Sequence, residues 1–314
     1  MQKRHAFVLV PFVLWMSVVS AQNPQAARDS YDRGLRNFAR GDFDDAITDF
    51  TRAIELSSGA MRDRRWDQGW NGSSTTTKSQ ASDSITIIDP VIAAAYANRG
   101  LARYRKGELK EAIADCDRAL AIHPGLLQIY KNRSAMRWDL GDRNGAIADL
   151  NQILRKNPRD ALALAIRGSM RVDLRDLDGA IADFEQAIAL EKRNAEFHCS
   201  LAEARHAKGD LAGALRDYDR AIELNPRFAW ALLCRATAFQ ARGEYARALD
   251  DLNRAIELEP GSAKAYGNRG IIKLHLGHDA DAARDLAECL RLDPGLRPQL
   301  ERIIQKEKSQ RGQP

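Results

Sequence analysis

The sequence has 314 residues, of which 44% are hydrophobic and 29% are charged. Such a chain is long enough to bury a sizeable core, and its composition excludes a wholly disordered or collagen-like protein. The formal net charge is +5, and Lys3 and Arg4 contribute two of these charges, leaving +3 for the rest. This balance is too weak to favour nucleic acid as a partner.

Residues 1–21 have the pattern of an export signal. Lys3 and Arg4 precede an apolar run over residues 6–19, and small side chains near Ala21 suit cleavage after that residue. The apolar run is too short to span a bilayer comfortably. We therefore expect an exported protein, periplasmic or secreted, which is attached to a membrane only if this segment stays uncleaved.

The rest of the sequence repeats with a period of 34 residues. A proline, a glycine and an alanine each recur at this step, although Lys192 replaces one proline and Arg175 replaces one glycine. Apolar residues at helical spacing lie on both sides of each glycine. Each repeat is therefore predicted to consist of a helix, a glycine turn, a second helix and a proline stop.

The repeat resembles the tetratricopeptide repeat family, whose pattern sets aromatic, small, turn and stop residues at fixed positions. In residues 93–126 these are Tyr96, Gly100, Gly107, Ala112, Cys116, Ala119 and Pro124. The resemblance covers about three quarters of the chain, in the seven units 27–60, 93–126, 127–160, 161–194, 195–228, 229–262 and 263–296. It implies an all-α fold, a right-handed superhelical solenoid of stacked helical hairpins, with the first helix of each hairpin lining a concave groove.

Two segments lie outside the repeats. Residues 61–92 are a polar insertion rich in Ser and Thr, which we expect to be disordered. Within it, Trp66 and Trp70 lie one helical turn apart among arginines, as either a docking peptide for a partner or a locally packed pair. Residues 297–308 are predicted to form an amphipathic helix that caps the last repeat, followed by a disordered tail over 309–314.

A pair of opposite charges recurs in the repeats. An aspartate holds one position in all seven units, and an arginine holds one position in the first helix of six, with Leu201 as the exception. Catalysis needs a unique site, so this pattern predicts structural Arg–Asp pairs, either within a hairpin or across to the next one. The arginines are Arg33, Arg99, Arg133, Arg167, Arg235 and Arg269, and the aspartates are Asp49, Asp115, Asp149, Asp183, Asp217, Asp251 and Asp285.

The sequence contains no motif for catalysis or for a cofactor. It has no dinucleotide or phosphate loop, no serine-hydrolase elbow and no H-E-x-x-H. We therefore predict no catalytic residue, no cofactor and no metal, although His198 and His206 flank Cys199 on one helix. The four cysteines are expected to be thiols, mostly buried, with a Cys199–Cys234 disulfide left open.

The resemblance places the function in the groove. The candidate ligand-binding residues are Tyr104, Arg105, Gln128, Lys131, Trp138, Asp139, Glu203, His206, Trp230, Gln240 and Lys264. Tyr104, Arg105, Lys131 and Trp138 gather at one end, where they either hold an extended peptide or, in the case of the two rings, fill space between hairpins. The family's carboxylate clamp is not matched, because Ala97 and Leu101 stand where it has Lys and Asn.

The sequence thus predicts a non-enzymatic scaffold that binds a protein or peptide in its concave groove. The alternatives are a structural component of the cell envelope that associates with itself, or a membrane-anchored adaptor. The identity of the partner does not follow from the sequence.

Overall fold

A computed structural model describes residues 24–57 and 90–310. These residues form fifteen α-helices, and no strand occurs among them, which confirms the expected all-α repeat fold. The chain divides into two compact units, of which the first ends at Pro158 and the second begins at Arg159. The predicted signal segment and the Trp66–Trp70 pair lie outside the described residues.

The first unit contains three helical hairpins. Their helices are α1 (Pro24–Arg40) and α2 (Phe43–Ser57), α3 (Pro90–Lys106) and α4 (Leu109–Ile122), and α5 (Leu127–Leu140) and α6 (Arg143–Lys156). The predicted insertion is too long by three residues, since α3 already begins at Pro90. Proline is favoured in the first turn of a helix, where the missing N–H would have no partner.

The second unit contains four hairpins and a final helix. The helices are α7 (Ala161–Asp173) and α8 (Leu177–Leu190), α9 (Ala195–Lys208) and α10 (Leu211–Leu224), α11 (Ala229–Ala241) and α12 (Tyr245–Leu258), and α13 (Ala263–His275) and α14 (Asp279–Leu292). A short 3₁₀ turn over Pro294–Leu296 leads into α15 (Arg297–Gln310). The predicted tail is too long, because Ser309 and Gln310 belong to this helix.

Each hairpin turns at a residue in the left-handed conformation. Six turns use a glycine, such as Gly141 with φ 94°, and the seventh uses Arg175 with φ 65°. In three hairpins the next residue is an aspartate whose side chain caps the second helix, as when Asp142 accepts a hydrogen bond of 2.9 Å from Gly145 N–H. The glycine therefore ends one helix and the aspartate starts the next.

The two helices of a hairpin meet through small side chains. Gly168 on α7 lies against the ring of Phe184 on α8, and a Cβ atom added at Gly168 would be 3.0 Å from that ring. The two helices can therefore approach closely and bury the face between them. The outer apolar face of the hairpin remains uncovered until a neighbouring hairpin packs against it.

Within each unit the first helices of consecutive hairpins contact one another directly, α1 with α3 and α3 with α5, and α7 with α9, α9 with α11 and α11 with α13. We call the row of first helices in a unit its inner layer. Each second helix packs against the first helix of the next hairpin of its unit. The inner layer is therefore a continuous surface built from one helix of every hairpin.

The final helix covers the end of the second unit. Leu300 of α15 is buried and packs with Leu286 and Cys289 of α14, and Ile304 lies against the same cluster. The apolar side chains of α15 thus face the last hairpin.

Among the described residues, no helix has the length and apolar character needed to cross a bilayer.

Candidate functional site

The repeated aspartates pair with the repeated arginines inside each hairpin. Arg133 on α5 donates from Nε and Nη2 to both carboxylate oxygens of Asp149 on α6, at 2.9 and 2.5 Å. The same two-point contact occurs at Arg99–Asp115, Arg167–Asp183, Arg235–Asp251 and Arg269–Asp285. Arg33 contacts only one oxygen of Asp49. Of the two predicted arrangements, the Arg–Asp pairs therefore follow the first, with both partners in the same hairpin.

The same guanidinium groups also reach the preceding hairpin of their unit. Nη1 of Arg133 donates to Asp117 on α4 at 2.5 Å, and Nη1 of Arg235 donates to Asp219 on α10 at 2.6 Å. Arg99 and Arg269 make the equivalent bonds to Thr51 and Asn253, at 3.0 and 2.8 Å. Every acceptor lies two residues after an aspartate of the series. One planar, five-donor side chain thus ties three helices together.

A second basic position joins this network, and the sequence reasoning missed it. It lies four residues after four of the six repeated arginines, one helical turn further along the inner layer, whereas Asn37 and Phe239 hold this position after Arg33 and Arg235. Arg103, Arg171 and Lys273 contact the aspartate of their own hairpin at 2.7, 2.8 and 2.8 Å. Arg137 does so at 3.1 Å. The signal was present, because these residues follow the same period of 34.

The hairpin α9–α10 shows what happens when the repeated arginine is absent. Leu201 is buried in its place, and Asp217 is held by Arg205 from the second basic position. Arg205 also pairs with Glu185 of the preceding hairpin at 2.7 Å. Burial raises the pKa of Asp217 by more than Arg205 lowers it.

Asp285 illustrates the opposite balance. Burial alone would raise the pKa of this carboxyl group, but hydrogen bonds from Arg269 and Lys273 outweigh that effect and leave the pKa below its ordinary value. Two cationic partners therefore stabilise the ionised carboxylate where one does not.

The groove candidates of the first unit are largely engaged with the protein itself. Trp138 is only 7% exposed, and the guanidinium of Arg143 lies 4.1 Å from its ring centre. The hydroxyl of Tyr104 donates to Asp139 at 2.5 Å, and Gln128 donates to Asn132 at 2.9 Å. The idea that Trp138 stacks on a peptide needs correction, because its ring is already covered. Arg105 is exposed, and Lys131 is half-buried.

The second unit brings three of the groove candidates together. The indole N–H of Trp230 on α11 donates to Oε1 of Glu203 on α9 at 2.5 Å. The ammonium group of Lys264 on α13 lies 5.1 Å from the centre of the Trp230 ring. These three residues come from consecutive helices of the inner layer, and we call them the Trp230 site. Gln240 lies ten residues along α11 from Trp230, about 15 Å along the helix axis, and is not part of it.

The Glu203 carboxylate is surrounded by neutral donors. Besides Trp230, the thiols of Cys199 and Cys234 contact the same oxygen at 3.9 and 3.7 Å. Burial lowers the pKa of His206, three residues further along α9, so that its imidazole is neutral at pH 7. No lysine or arginine of the described residues forms an ion pair with Glu203. The cation of the site, Lys264, lies against the Trp230 ring instead, which leaves the negative charge of Glu203 without an ion pair.

The neighbouring weak acids respond to this charge. Burial raises the pKa of Cys199 well above its usual value, with Glu203 as the next cause. Burial also raises the pKa of Tyr218, which Cys234 and Glu203 raise further. Both groups are therefore protonated and neutral at physiological pH.

The cysteines and histidines form no metal centre in the described ranges. All four cysteines are free thiols, and only Cys234 is not fully buried. In residues 24–57 and 90–310, no three His, Cys, Asp or Glu side chains are placed to hold a metal ion.

Comparison with known families gives a consistent match. A tetratricopeptide repeat model matches residues 93–126. Three further models of this repeat match overlapping segments that together span residues 137–305. Among curated proteins, none matches the sequence.

Several solved structures share the fold. A tetratricopeptide repeat protein from Parabacteroides merdae is 21% identical, with a TM-score of 0.67 over 90% of this chain and 99% of that one. The pilF protein of Pseudomonas aeruginosa is 17% identical, with a TM-score of 0.55 over 77% of this chain and 95% of that one. The APC/C hetero-tetramer Cut9–Hcn1 is 14% identical, with a TM-score of 0.58 over 91% and 56%. At these identities the likeness concerns the fold alone.

Proposed function

Because the chain belongs to the tetratricopeptide repeat family, we propose that it is a non-enzymatic scaffold that binds a protein or peptide along its inner layer. The observation that carries the proposal is the Trp230 site. There, three consecutive inner-layer helices supply a half-buried indole, a carboxylate that accepts its N–H, and an ammonium group that lies against its ring. Aromatic and charged side chains in such a cluster are typical of the residues that dominate binding energy at protein interfaces.

The periodic arrangement of the buried charged residues supports a binding role over a catalytic one. The buried charged residues are paired in the repeated network, which stabilises each hairpin in the same way. The hairpins differ in the inner layer, where Glu203, Trp230 and Lys264 are not repeated at the equivalent positions of the other hairpins. A unique surface on a uniform framework suits the recognition of one partner.

The test compares capture by two variants of the purified chain. The first carries Trp230→Ala in the inner layer, and the second carries Arg216→Ala and Glu257→Ala at exposed positions of second helices. Proteins from a cell extract that the wild type and the second variant retain are expected to fall at least about tenfold on the first variant. Equal retention by all three would contradict the proposal. Light scattering across concentration tests the alternative that the chain assembles with itself.

We also propose that the protein is exported, and periplasmic or secreted. The proposal rests on the basic, apolar and small-residue pattern of residues 1–21. The expected mature chain begins at Gln22, and N-terminal sequencing of the protein from separated cell fractions checks this. A chain that starts at Met1 in the membrane fraction would favour the anchored adaptor instead.

A further inference from the structure

Glu203 of the Trp230 site has a charge that no ion pair balances among the described residues. Most acidic side chains of the repeated network face at least one arginine or lysine, but the partners of Glu203 are an indole N–H and two thiols. All three contact Oε1, and the structure gives Oε2 no donor within the described residues. A half-buried carboxylate with one uncommitted oxygen retains most of its capacity to pair with a cation.

The neighbouring indole already holds a cation. Lys264 is exposed, and its ammonium group lies over the Trp230 ring. Its long, flexible side chain can leave the ring at little cost, because it has no ion pair among the described residues. Lys264 thus shows which chemical group the ring accepts, and its place is open to exchange with a ligand.

We propose that the Trp230 site recognises a cationic side chain, an arginine or a lysine, of the peptide that the scaffold binds. The ligand cation lies against the Trp230 ring in place of Lys264 and pairs with Oε2 of Glu203. This inference rests on the proposed function and adds the chemistry of the partner. It predicts a basic anchor residue in the bound segment rather than an acidic one or a free carboxylate.

The local electrostatics support a cationic ligand. The pKa of Cys199 and that of Tyr218 are raised by burial and by the nearby Glu203 charge, so neither group adds a competing cation or a second anion. His206 is neutral at pH 7. A ligand cation that takes the place of Lys264 is attracted by Glu203, whereas a ligand carboxylate would be repelled by Glu203.

The test uses random dodecapeptides displayed on phage and selected on the purified full chain. The enriched peptides are expected to share an arginine or lysine, and each is then synthesised with that residue or, for arginine, with its neutral isostere citrulline. Glu203→Gln keeps an acceptor for the Trp230 N–H and removes the charge. It is expected to weaken binding of the arginine peptide about tenfold or more, and of the citrulline peptide hardly at all.

A matched control is Glu257→Gln, which makes the same charge change at an exposed position on α12. It is expected to leave both affinities within about twofold. Lys264→Ala removes the competing cation and is expected to preserve or tighten binding of the arginine peptide.

The outcomes separate this inference from the function it rests on. If peptides bind and Trp230→Ala abolishes binding, but Glu203→Gln changes the arginine and citrulline peptides equally, the cationic anchor is wrong and the scaffold function stands. If no peptide is enriched, or if Trp230→Ala leaves binding unchanged, the inner-layer function fails and the anchor fails with it.

Discussion

Arg175 shows how a single residue departs from the repeat. It occupies the left-handed turn between α7 and α8, where six other hairpins place a glycine, and it is the one non-glycine residue with positive φ among those described. For a residue with a Cβ atom this conformation costs about 1 kcal/mol.

We therefore expect Arg175→Gly to raise the free energy of unfolding of the second unit by about 0.5–1 kcal/mol. Urea unfolding followed by circular dichroism measures the change. Arg193→Gly is the control, because Arg193 is an exposed turn residue without positive φ. If both variants change stability equally, the gain does not come from the turn conformation.

The two aspartates with opposite pKa shifts give a second residue-scale prediction. Asp285→Asn removes a carboxylate held by Arg269 and Lys273, and is expected to cost about 3 kcal/mol at pH 7. Asp217→Asn removes a carboxylate that burial disfavours, and is expected to cost less than about 1 kcal/mol. Equal costs would contradict the assigned balance of burial and pairing.

The pH dependence of the two variants differs in sign. Because the folded-state pKa of Asp285 is lowered, its contribution is present above the ordinary pKa of 3.8 and is lost as the pH falls through the lowered value. The deficit of Asp285→Asn should therefore shrink in acid. Because the folded-state pKa of Asp217 is raised, its ionisation costs stability, and that cost disappears as the pH falls through the raised value. Urea midpoints measured from pH 7 to pH 3 test both.

At the scale of the helices, the repeated arginine acts as a joint between hairpins. Arg133 is 12% exposed and bonds to α6 of its own hairpin and α4 of the preceding one. Arg33 begins the series, is 52% exposed and has its partners, Asp49 and Ser30, within its own hairpin. The burial of the arginine and its bond to the preceding hairpin together determine how much this residue contributes to the stability of the stack.

Arg133→Met is accordingly expected to lower the free energy of unfolding of the first unit by about 3 kcal/mol. Arg33→Met, the same change at an exposed position whose partners lie within one hairpin, is expected to cost less than about 1 kcal/mol. Hydrogen exchange should show faster opening of α4 in Arg133→Met. Protection of α4 equal to wild type would show that the bond to Asp117 does not hold the hairpins together.

The sequence predicted the members of this network but not all of its connections. The arginine and aspartate recur as single residue types, so their period is visible. The acceptors in the preceding hairpin are Thr51, Asp117, Glu185, Asp219 and Asn253, which share only an oxygen atom. A search for recurring residue types does not detect this position, because the side chain that occupies it differs from one repeat to the next while its place in the structure stays the same.

The sequence predicted which residues lie on the first helices of the hairpins, but not which of their side chains are exposed. The period placed Trp138 and Trp230 in the first helices, and both are there. Each indole has a cation over its ring, Arg143 over Trp138 and Lys264 over Trp230, but the two rings differ in exposure. The first ring is buried and the second is half-exposed, a difference set by local packing that no repeat pattern encodes.

For the molecule as a whole, stability depends on every hairpin having its apolar face covered. The second unit ends with α15, whose Leu300 is 5% exposed against the last hairpin. Removal of that cover would leave apolar side chains of α14 in contact with water.

We expect Leu300→Asp to lower the urea midpoint of the second unit and to produce concentration-dependent association in light scattering, because a charge cannot remain in that cluster. Glu301→Asp, one residue along the same helix on its exposed side, is the control and should do neither. A monomeric Leu300→Asp protein of unchanged stability would show that α15 is not a cap.

The guanidinium that bonds to two adjacent hairpins affects how such a chain can gain or lose hairpins during evolution. A duplicated hairpin brings its own arginine and aspartate, and it needs from the upstream neighbour only one oxygen-bearing side chain at the right place. Hydroxyl, amide and carboxylate groups all serve here. Gene segments of this length can therefore be copied, lost or grafted between arrays without matched charges where two hairpins join, while the inner-layer helices diverge on their own.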